Sequence, residues 1–284
     1  MKYSLVIILV SLVVLNAYAQ NMTDVSLYMK GGPQVSSVMT TQDDMFYKVG
    51  HHGPAIENEW LGLRIYFDYK VAIDVYNKTK PQLELAKAEW YPTKEQQENG
   101  WGADSYKVGE TVGLGGVRLW DGNKVIFLNP IKERTARVRK EAMLSYMEML
   151  SEGIPYKNDT IDVLLRVTVY SGIREAKVEA FAFSSRPVEF VTGINYHDGT
   201  ETFRRDDYIG TWGVHPEDVA AFERNIGAAI IYNPDDFSSI EKTPKEYRMI
   251  TKPTKYLETH ITSVCEKEAG FSSMEAFINY LKTL

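Results

Sequence analysis

The feature that most limits what this chain can fold into is an apolar alternation of period two. It recurs in short runs separated by turn residues. From Trp60 onward Leu61, Leu63, Ile65 and Phe67 fall on one face, with Gly62, Arg64, Tyr66 and Asp68 on the other, and Val71, Ile73 and Val75 repeat the pattern. Residues two apart share one face of a strand, so each run predicts a half-buried strand. Ile161–Tyr170 and Ala176–Phe183 alternate on either side of Ser171-Gly172, and Gly113–Trp120 and Lys124–Leu128 flank the hairpin signal Asp121-Gly122-Asn123. Glu189–Tyr196, Ala228–Tyr232, Glu246–Ile250 and Tyr256–Val264 read as further strands. Ten or so strands on short turns predict an all-β chain built as sheet on sheet.

A few stretches depart from the pattern. Ser272–Leu284 predicts a helix, with Ser272 and Glu275 as a capping box and Met274, Phe277, Ile278 and Leu281 as an apolar stripe. Thr93–Gln97 predicts one helical turn capped by Thr93 and Gln96, and Pro216–Arg224 a short helix. Thr135–Leu150 fits helix and strand alike, while Asn21–Asp44 reads as a polar, irregular lead-in. Lys80–Gly109 is broken by Pro81 and Pro92 and interleaves Trp90, Tyr91, Trp101 and Tyr106 with charges, as a functional or lid-like insertion does. There is no internal repeat and no βαβ alternation, and Gly113-Leu114-Gly115-Gly116 lacks the spacing of a dinucleotide loop.

The first nineteen residues read as a signal peptide: Lys2, an apolar core over Leu5–Leu15, then Ala17-Tyr18-Ala19. Cleavage before Gln20 leaves residues 20–284 as a single β-sandwich domain, expected in the periplasm or secreted. That apolar run is shorter than the roughly 20 residues a membrane span needs, so no membrane insertion is expected after cleavage. Cys265 is the one cysteine, which excludes an internal disulfide and suits a small buried apolar side chain. The net charge is −6 with no long basic cluster, which argues against nucleic acid as a partner. The densest basic stretch, Lys132–Lys140 with Arg134, Arg137 and Arg139, reads as one solvated face of a strand.

Chemistry concentrates in Gly50-His51-His52-Gly53-Pro54, followed by Glu57, Asn58 and Glu59 and then by a strand. A loop dense in titratable groups and held by a rigid strand is where binding and catalytic residues gather. Adjacent side chains on an extended chain diverge, so one histidine is expected to face the site and the other to pack. Glu57 and Glu59 would share a strand face and suit paired acid–base work, though solvated loop charges fit equally. The other histidines are His197, His215 and His260; no pair has the helical spacing of a zinc protease, so a divalent ion would be held by residues of separate strands, His51, His197 and His260. A second focus is Thr202–Tyr208 with Trp212: Arg204 suits a carboxylate or sulfate, Tyr208 a proton transfer, and Trp212 a stacking face; a salt-bridged strand edge is the alternative.

Three segments carry a resemblance: Tyr47–Glu59, Trp90–Asp104 with its Trp-Tyr-Pro-Thr and Gly-Trp-Gly-Ala-Asp runs, and Gly115–Gly122. They resemble a domain-of-unknown-function family of exported proteins from bacterial polysaccharide-utilisation loci, through nearly all of the chain after the leader. The resemblance implies a galactose-mutarotase-like β-supersandwich and work on uronic-acid or sulfated fragments such as those of ulvan or pectin; an oligosaccharide dehydratase of ulvan breakdown is similar in size and export. The expected partner is therefore an anionic oligosaccharide, bound by Arg204, Arg64, Trp101 and Trp212. The expected reaction is carbon–oxygen elimination next to a uronate carboxylate, with His52 as base, Tyr208 as acid and His197 as orienting partner or ligand. A mutarotase or epimerase, with Glu57 as base, and a carbohydrate-binding protein without catalysis are the alternatives.

Overall fold

A computed structural model of the protein describes residues 21–88, 91–216 and 219–284. The leader expected over residues 1–19, its cleavage point and Trp90 lie outside the described residues. The described chain forms three antiparallel sheets. Nine strands make the largest, in the spatial order Glu201–Arg204, Tyr208–Gly213, Ile226–Ile231, Tyr256–Cys265, Ala176–Phe183, Asp159–Tyr170, Leu144–Tyr156, Glu133–Lys140 and Ser37–Thr40. A four-stranded sheet runs Thr23–Ser26, Ala55–Asn58, Leu61–Ile65, Ile73–Asn77, and a five-stranded sheet Phe237–Lys242, Glu246–Thr251, Glu189–Asn195, Arg118–Trp120, Val125–Ile126.

The two smaller sheets cover one face of the large one. Ala55–Asn58 and Leu61–Ile65 pack on Leu144–Tyr156, Ile73–Asn77 on Tyr256–Cys265, and Glu189–Asn195 on Ile226–Ile231. Single bridges at Ile73–Gly113 and Leu114–Ile194 stitch the smaller sheets into one layer. This is the expected all-β supersandwich with a C-terminal helix. Between the layers lies one apolar core drawn from all three sheets, including Ile56, Leu63, Met147, Val167, Val178, Ile194 and Ile230. Cys265 is buried as a free thiol. Among the described residues no helix is long and apolar enough to cross a membrane.

Several sequence expectations are corrected. Thr135–Leu150 resolves into Glu133–Lys140 and Leu144–Tyr156, both strands, because their alternate residues meet the core as a sheet requires. The Asn21–Asp44 lead-in contains the short edge strands Thr23–Ser26 and Ser37–Thr40. Leu61–Ile65 is buried on both faces, since the loops above it cover Arg64 and Tyr66 as well. Arg137 and Arg139 are solvated as expected, but Arg134 points the other way and is fully buried, donating to the Asp68 carbonyl at 2.7 Å. Pro216–Arg224 shows no helix among its described residues. The C-terminal helix is Met274–Leu281, capped by Ser273, one residue later than expected, whose Oγ accepts the Ala276 N–H.

Candidate active site

The His51–His52 loop has a local reason for each of its glycines. A side chain at Gly50 would run into the Tyr28 ring, 2.1 Å from its Cβ position, and one at Gly53 into the Ile65 carbonyl at 1.9 Å. The chain thus passes hard against the Leu61–Ile65 strand, and Phe67 N–H binds the His52 carbonyl at 2.8 Å. Between the glycines His51 and His52 both adopt left-handed backbone conformations, at φ 54° and 61°. Each such non-glycine residue costs on the order of 1–3 kcal/mol, and strain of this kind gathers at functional sites.

That path sends the two rings apart. His51 turns inward, edge-on to Tyr28 at 5.7 Å, and is 2% exposed. Burial, with the positive Arg64 second, pushes its pKa down to about 3, so it is neutral. His52 faces a cleft of about 470 Å³ bounded by Phe46, Tyr47, Tyr66, Lys70, Tyr91, Asp104 and the Lys107–Glu110 segment. Its ring stacks on Phe46 at 3.8 Å. Nδ1 lies 2.8 Å from the Phe46 carbonyl, which only accepts, so Nδ1 carries the proton and donates. In the neutral ring Nε2 is then an acceptor, and the Tyr91 hydroxyl donates to it at 2.6 Å.

An ionic frame stands behind this pair. Arg64 donates to Asp74 at 2.8 Å and pairs with Asp104, and its guanidinium lies 5.4 Å from the Tyr91 ring centre and 5.6 Å from that of Tyr66. Burial works against the guanidinium's charge, but Asp104 and Asp74 outweigh it and keep Arg64 firmly protonated. The Tyr66 hydroxyl donates to Asp74 at 2.8 Å; burial first, then Asp74, raise its pKa far above the ordinary range. Tyr66 therefore holds its proton, and Tyr91 is the cleft tyrosine coupled to a base. Lys70 supplies positive charge at the cleft wall, 5.3 Å from the Tyr66 ring centre.

The structure brings His52 and Arg64 of the expected set together and places the others elsewhere. Arg64 is a fixed part of the frame, with its charge met by two aspartates. Glu57 is fully buried: it pairs with Lys78 and accepts N–H groups of Glu84 and Leu85 at 2.8–2.9 Å, so it cannot reach a sugar as a base. Glu59 accepts the Gly172 N–H at 3.0 Å instead of pairing with Glu57. His197 sits beside His215, ring centres 4.6 Å apart, with Nε2 2.8 Å from the Lys107 carbonyl. His260 lies on the nine-stranded sheet between Lys177 and Ile231. His51, His197 and His260 thus stand on separate elements, and among the described residues no three His, Cys, Asp or Glu side chains gather in a metal-binding group.

Tyr208 and Trp212 are 5% and 8% exposed, packed with Ala229, Val264, Phe271, Phe277 and Leu281 beneath the C-terminal helix. Arg204 is exposed on the edge strand, and Trp101 is half-buried after the Lys94–Glu98 helix, outside the cleft lining. What sequence reasoning missed is Tyr91, Tyr66, Lys70, Asp74 and Asp104. The aromatic insertion that carries Tyr91 was its visible signal.

The β-supersandwich fold has likenesses among solved structures. Over 88% of this chain it is similar, at a TM-score of 0.52 and 12% identity, to a protein assigned as a kojibiose phosphorylase from the human microbiome; the match takes up 35% of that protein, so the chain spans about a third of its length. Two more distant likenesses carry no argument. One is to a protein assigned as an aldose 1-epimerase from Klebsiella pneumoniae subsp. pneumoniae MGH 78578, at a TM-score of 0.39 and 9% identity over 86% of this chain and 91% of that one. The other is to the 4-alpha-glucanotransferase from Thermococcus litoralis, at 0.35 and 10% over 75% and 37%. No curated protein matches the chain in sequence. Residues 14–284 match the family described as Domain of unknown function (DUF4861), and the chain belongs to that family.

Proposed function

We propose that the cleft is the active site of a carbohydrate-active carbon–oxygen lyase acting on uronic-acid-containing oligosaccharides, such as ulvan fragments, in the periplasm or outside the cell. The observation that carries this reading is the 2.6 Å contact between the Tyr91 hydroxyl and His52 Nε2, with the His52 tautomer set by a main-chain carbonyl. It makes a tyrosine whose proton has a ready acceptor, inside a cleft walled by lysines and aromatic faces. Aromatic faces suit sugar rings, and ammonium groups suit a carboxylate.

In the elimination, Tyr91 passes its proton to His52 and takes the C–H proton next to the uronate carboxylate. The freed electron pair forms the carbon–carbon double bond as the β carbon–oxygen bond breaks. The departing oxygen, as water or a sugar hydroxyl, takes a proton back from the Tyr91–His52 pair. Lys70 offsets the charge that builds on the carboxylate, in a site where such a charge is worth more than in water.

The test is mass spectrometry and ultraviolet absorbance of uronate oligosaccharides incubated with the protein. A new ultraviolet chromophore, with a cleaved chain or a product lighter by one water, is expected. Unchanged mass with altered stereochemistry would replace the lyase reading with an epimerase, and unchanged substrate would overturn catalysis on uronates.

A further inference from the structure

The outward face of the nine-stranded sheet carries the basic stretch around Arg137 and Arg139, which the cleft does not use. Along its strands alternate residues go to the core, among them Ala136, Met147, Met149, Val163 and Val167. Side chains of the opposite parity line a groove of about 820 Å³, larger than the cleft and sharing no residue with it. The strands that hold the His52 loop pack on the other face of the same sheet, Leu61–Ile65 against Leu144–Tyr156.

The lining brings together three arginines, Arg137, Arg139 and Arg166, and a single acid, Glu148. Glu148 is already engaged: its Oε1 accepts Arg166 through Nε at 2.7 Å and through Nη2 as well. Arg137 stands opposite Glu148 on the neighbouring strand, yet its exposed side chain has no ion pair or hydrogen bond among the described residues. Arg139 meets only Glu141, at 2.6 Å, with the two side chains 64% and 44% exposed. An ion pair so exposed is worth little and is readily exchanged for another. Acids also stand on this face outside the lining. Glu179, opposite Arg166, is engaged by Lys177 at 3.0 Å and by the Tyr256 hydroxyl at 2.9 Å. Glu133 and Glu152 oppose each other beyond Thr135 and Leu150. The groove is therefore positive at the Arg137–Arg139 end and negative at the far one, and an anion seats at the first.

Apolar surface lies beside these arginines. Phe183 is 57% exposed, and Tyr146, Leu150 and Leu164 are half-buried along the same groove. The Arg166 guanidinium lies 5.2 Å from the Tyr146 ring centre. Ring faces suit sugars, and guanidinium forks suit carboxylates. On a chain of net charge −6 only such a local field draws an anion in.

We propose that this groove is a second binding site, for a uronate-bearing polysaccharide chain, with Arg137 and Arg139 on its carboxylates and Phe183 and Tyr146 against its rings. The choice of a sugar chain rests on the function proposed for the cleft; the choice of an anion rests on the arginines alone. A polymer held on the outer face keeps its remaining segments at high local concentration around the cleft.

The experiment is calorimetric titration of the full protein with polygalacturonate, neutral amylose and poly-glutamate. Expected is saturable binding of polygalacturonate that weakens as salt rises, and none of amylose. The double variant Arg137→Gln, Arg139→Gln should bind polygalacturonate roughly ten-fold more weakly, and Phe183→Ser about three-fold more weakly. All three side chains are exposed, so Tm should hold in both variants. Undiminished affinity in the arginine variant, equal binding of amylose, or tighter binding of poly-glutamate would each overturn the site. Arginine-dependent binding without turnover would uphold the groove and overturn the lyase reading of the cleft instead.

Discussion

The loop around His52 and the sheet edge around Tyr208 hold the same kinds of residue, a tyrosine, an arginine and further aromatics, in opposite settings. At the loop the backbone is strained, an ionic frame stands behind the His52–Tyr91 pair, and a cleft of about 470 Å³ stays open beside them. At the edge Tyr208 and Trp212 lie flat on a regular strand and the C-terminal helix closes over them; the Trp212 and Phe277 rings are 6.4 Å apart. The first region spends stability on an arrangement, and the second gains stability by filling space. Residue type does not separate a site from a core; whether another element covers the side chains does.

The sharpest way to test this contrast is to exchange tyrosines. Tyr91→Phe should lower kcat on the substrate by roughly 10²–10⁴ with little change in Tm, and His52→Gln should do the same. A Tyr91→Phe enzyme of full activity would move the site elsewhere. Next in size is Phe277→Ala, which should cost about 3–5 kcal/mol in a denaturant titration, because its ring is fully buried in the helix-covered cluster. Its specific activity at low temperature should stay near normal, and a matched loss of rate would show that the two regions are coupled.

Acid should expose the same asymmetry more gently. His51 and His215 have folded pKa values near 3, against about 6.5 unfolded. The unfolded chain therefore binds more protons between those limits, so stability is complete above pH 6.5 and falls as pH drops toward 3. The loss is at most about 1.4 kcal/mol per pH unit for each histidine, and chemical denaturation at pH 7 and pH 5 measures it. His51→Gln should flatten the slope, whereas Phe277→Ala should shift the curve and keep its slope. The smallest effects belong to the edge: Arg204→Ala should stay within about 0.5 kcal/mol in stability and leave kcat unchanged, since Arg204 is exposed and outside the cleft.

Much of the fold was legible because strand alternation is a local signal. The hairpin at Asp121-Gly122-Asn123 forms between Arg118–Trp120 and Val125–Ile126, and Thr93 and Gln96 close their capping box. The edge strands Thr23–Ser26 and Ser37–Thr40 were not legible, being four residues long and half polar or more. Of the candidate site, one histidine facing the cleft and the other packing was expected from an extended chain; the two do diverge, but through left-handed backbone at φ 54° and 61°, which the sequence pattern did not reveal. Tyr91 was not legible, since its partner is 39 residues away and nothing local marks which tyrosine of an aromatic insertion will meet a histidine. Glu57 misled for the converse reason: the Lys78 that occupies it comes from beyond the next two strands.

The acceptor that orients His52 is the main-chain carbonyl of Phe46, not a side chain. No substitution at position 46 other than one that redirects the backbone can reverse the direction in which the ring passes its proton. The polarity of the proposed Tyr91–His52 relay is therefore written into the path of the chain, and residues 46 and 47 could be varied to reshape the cleft mouth without reversing it.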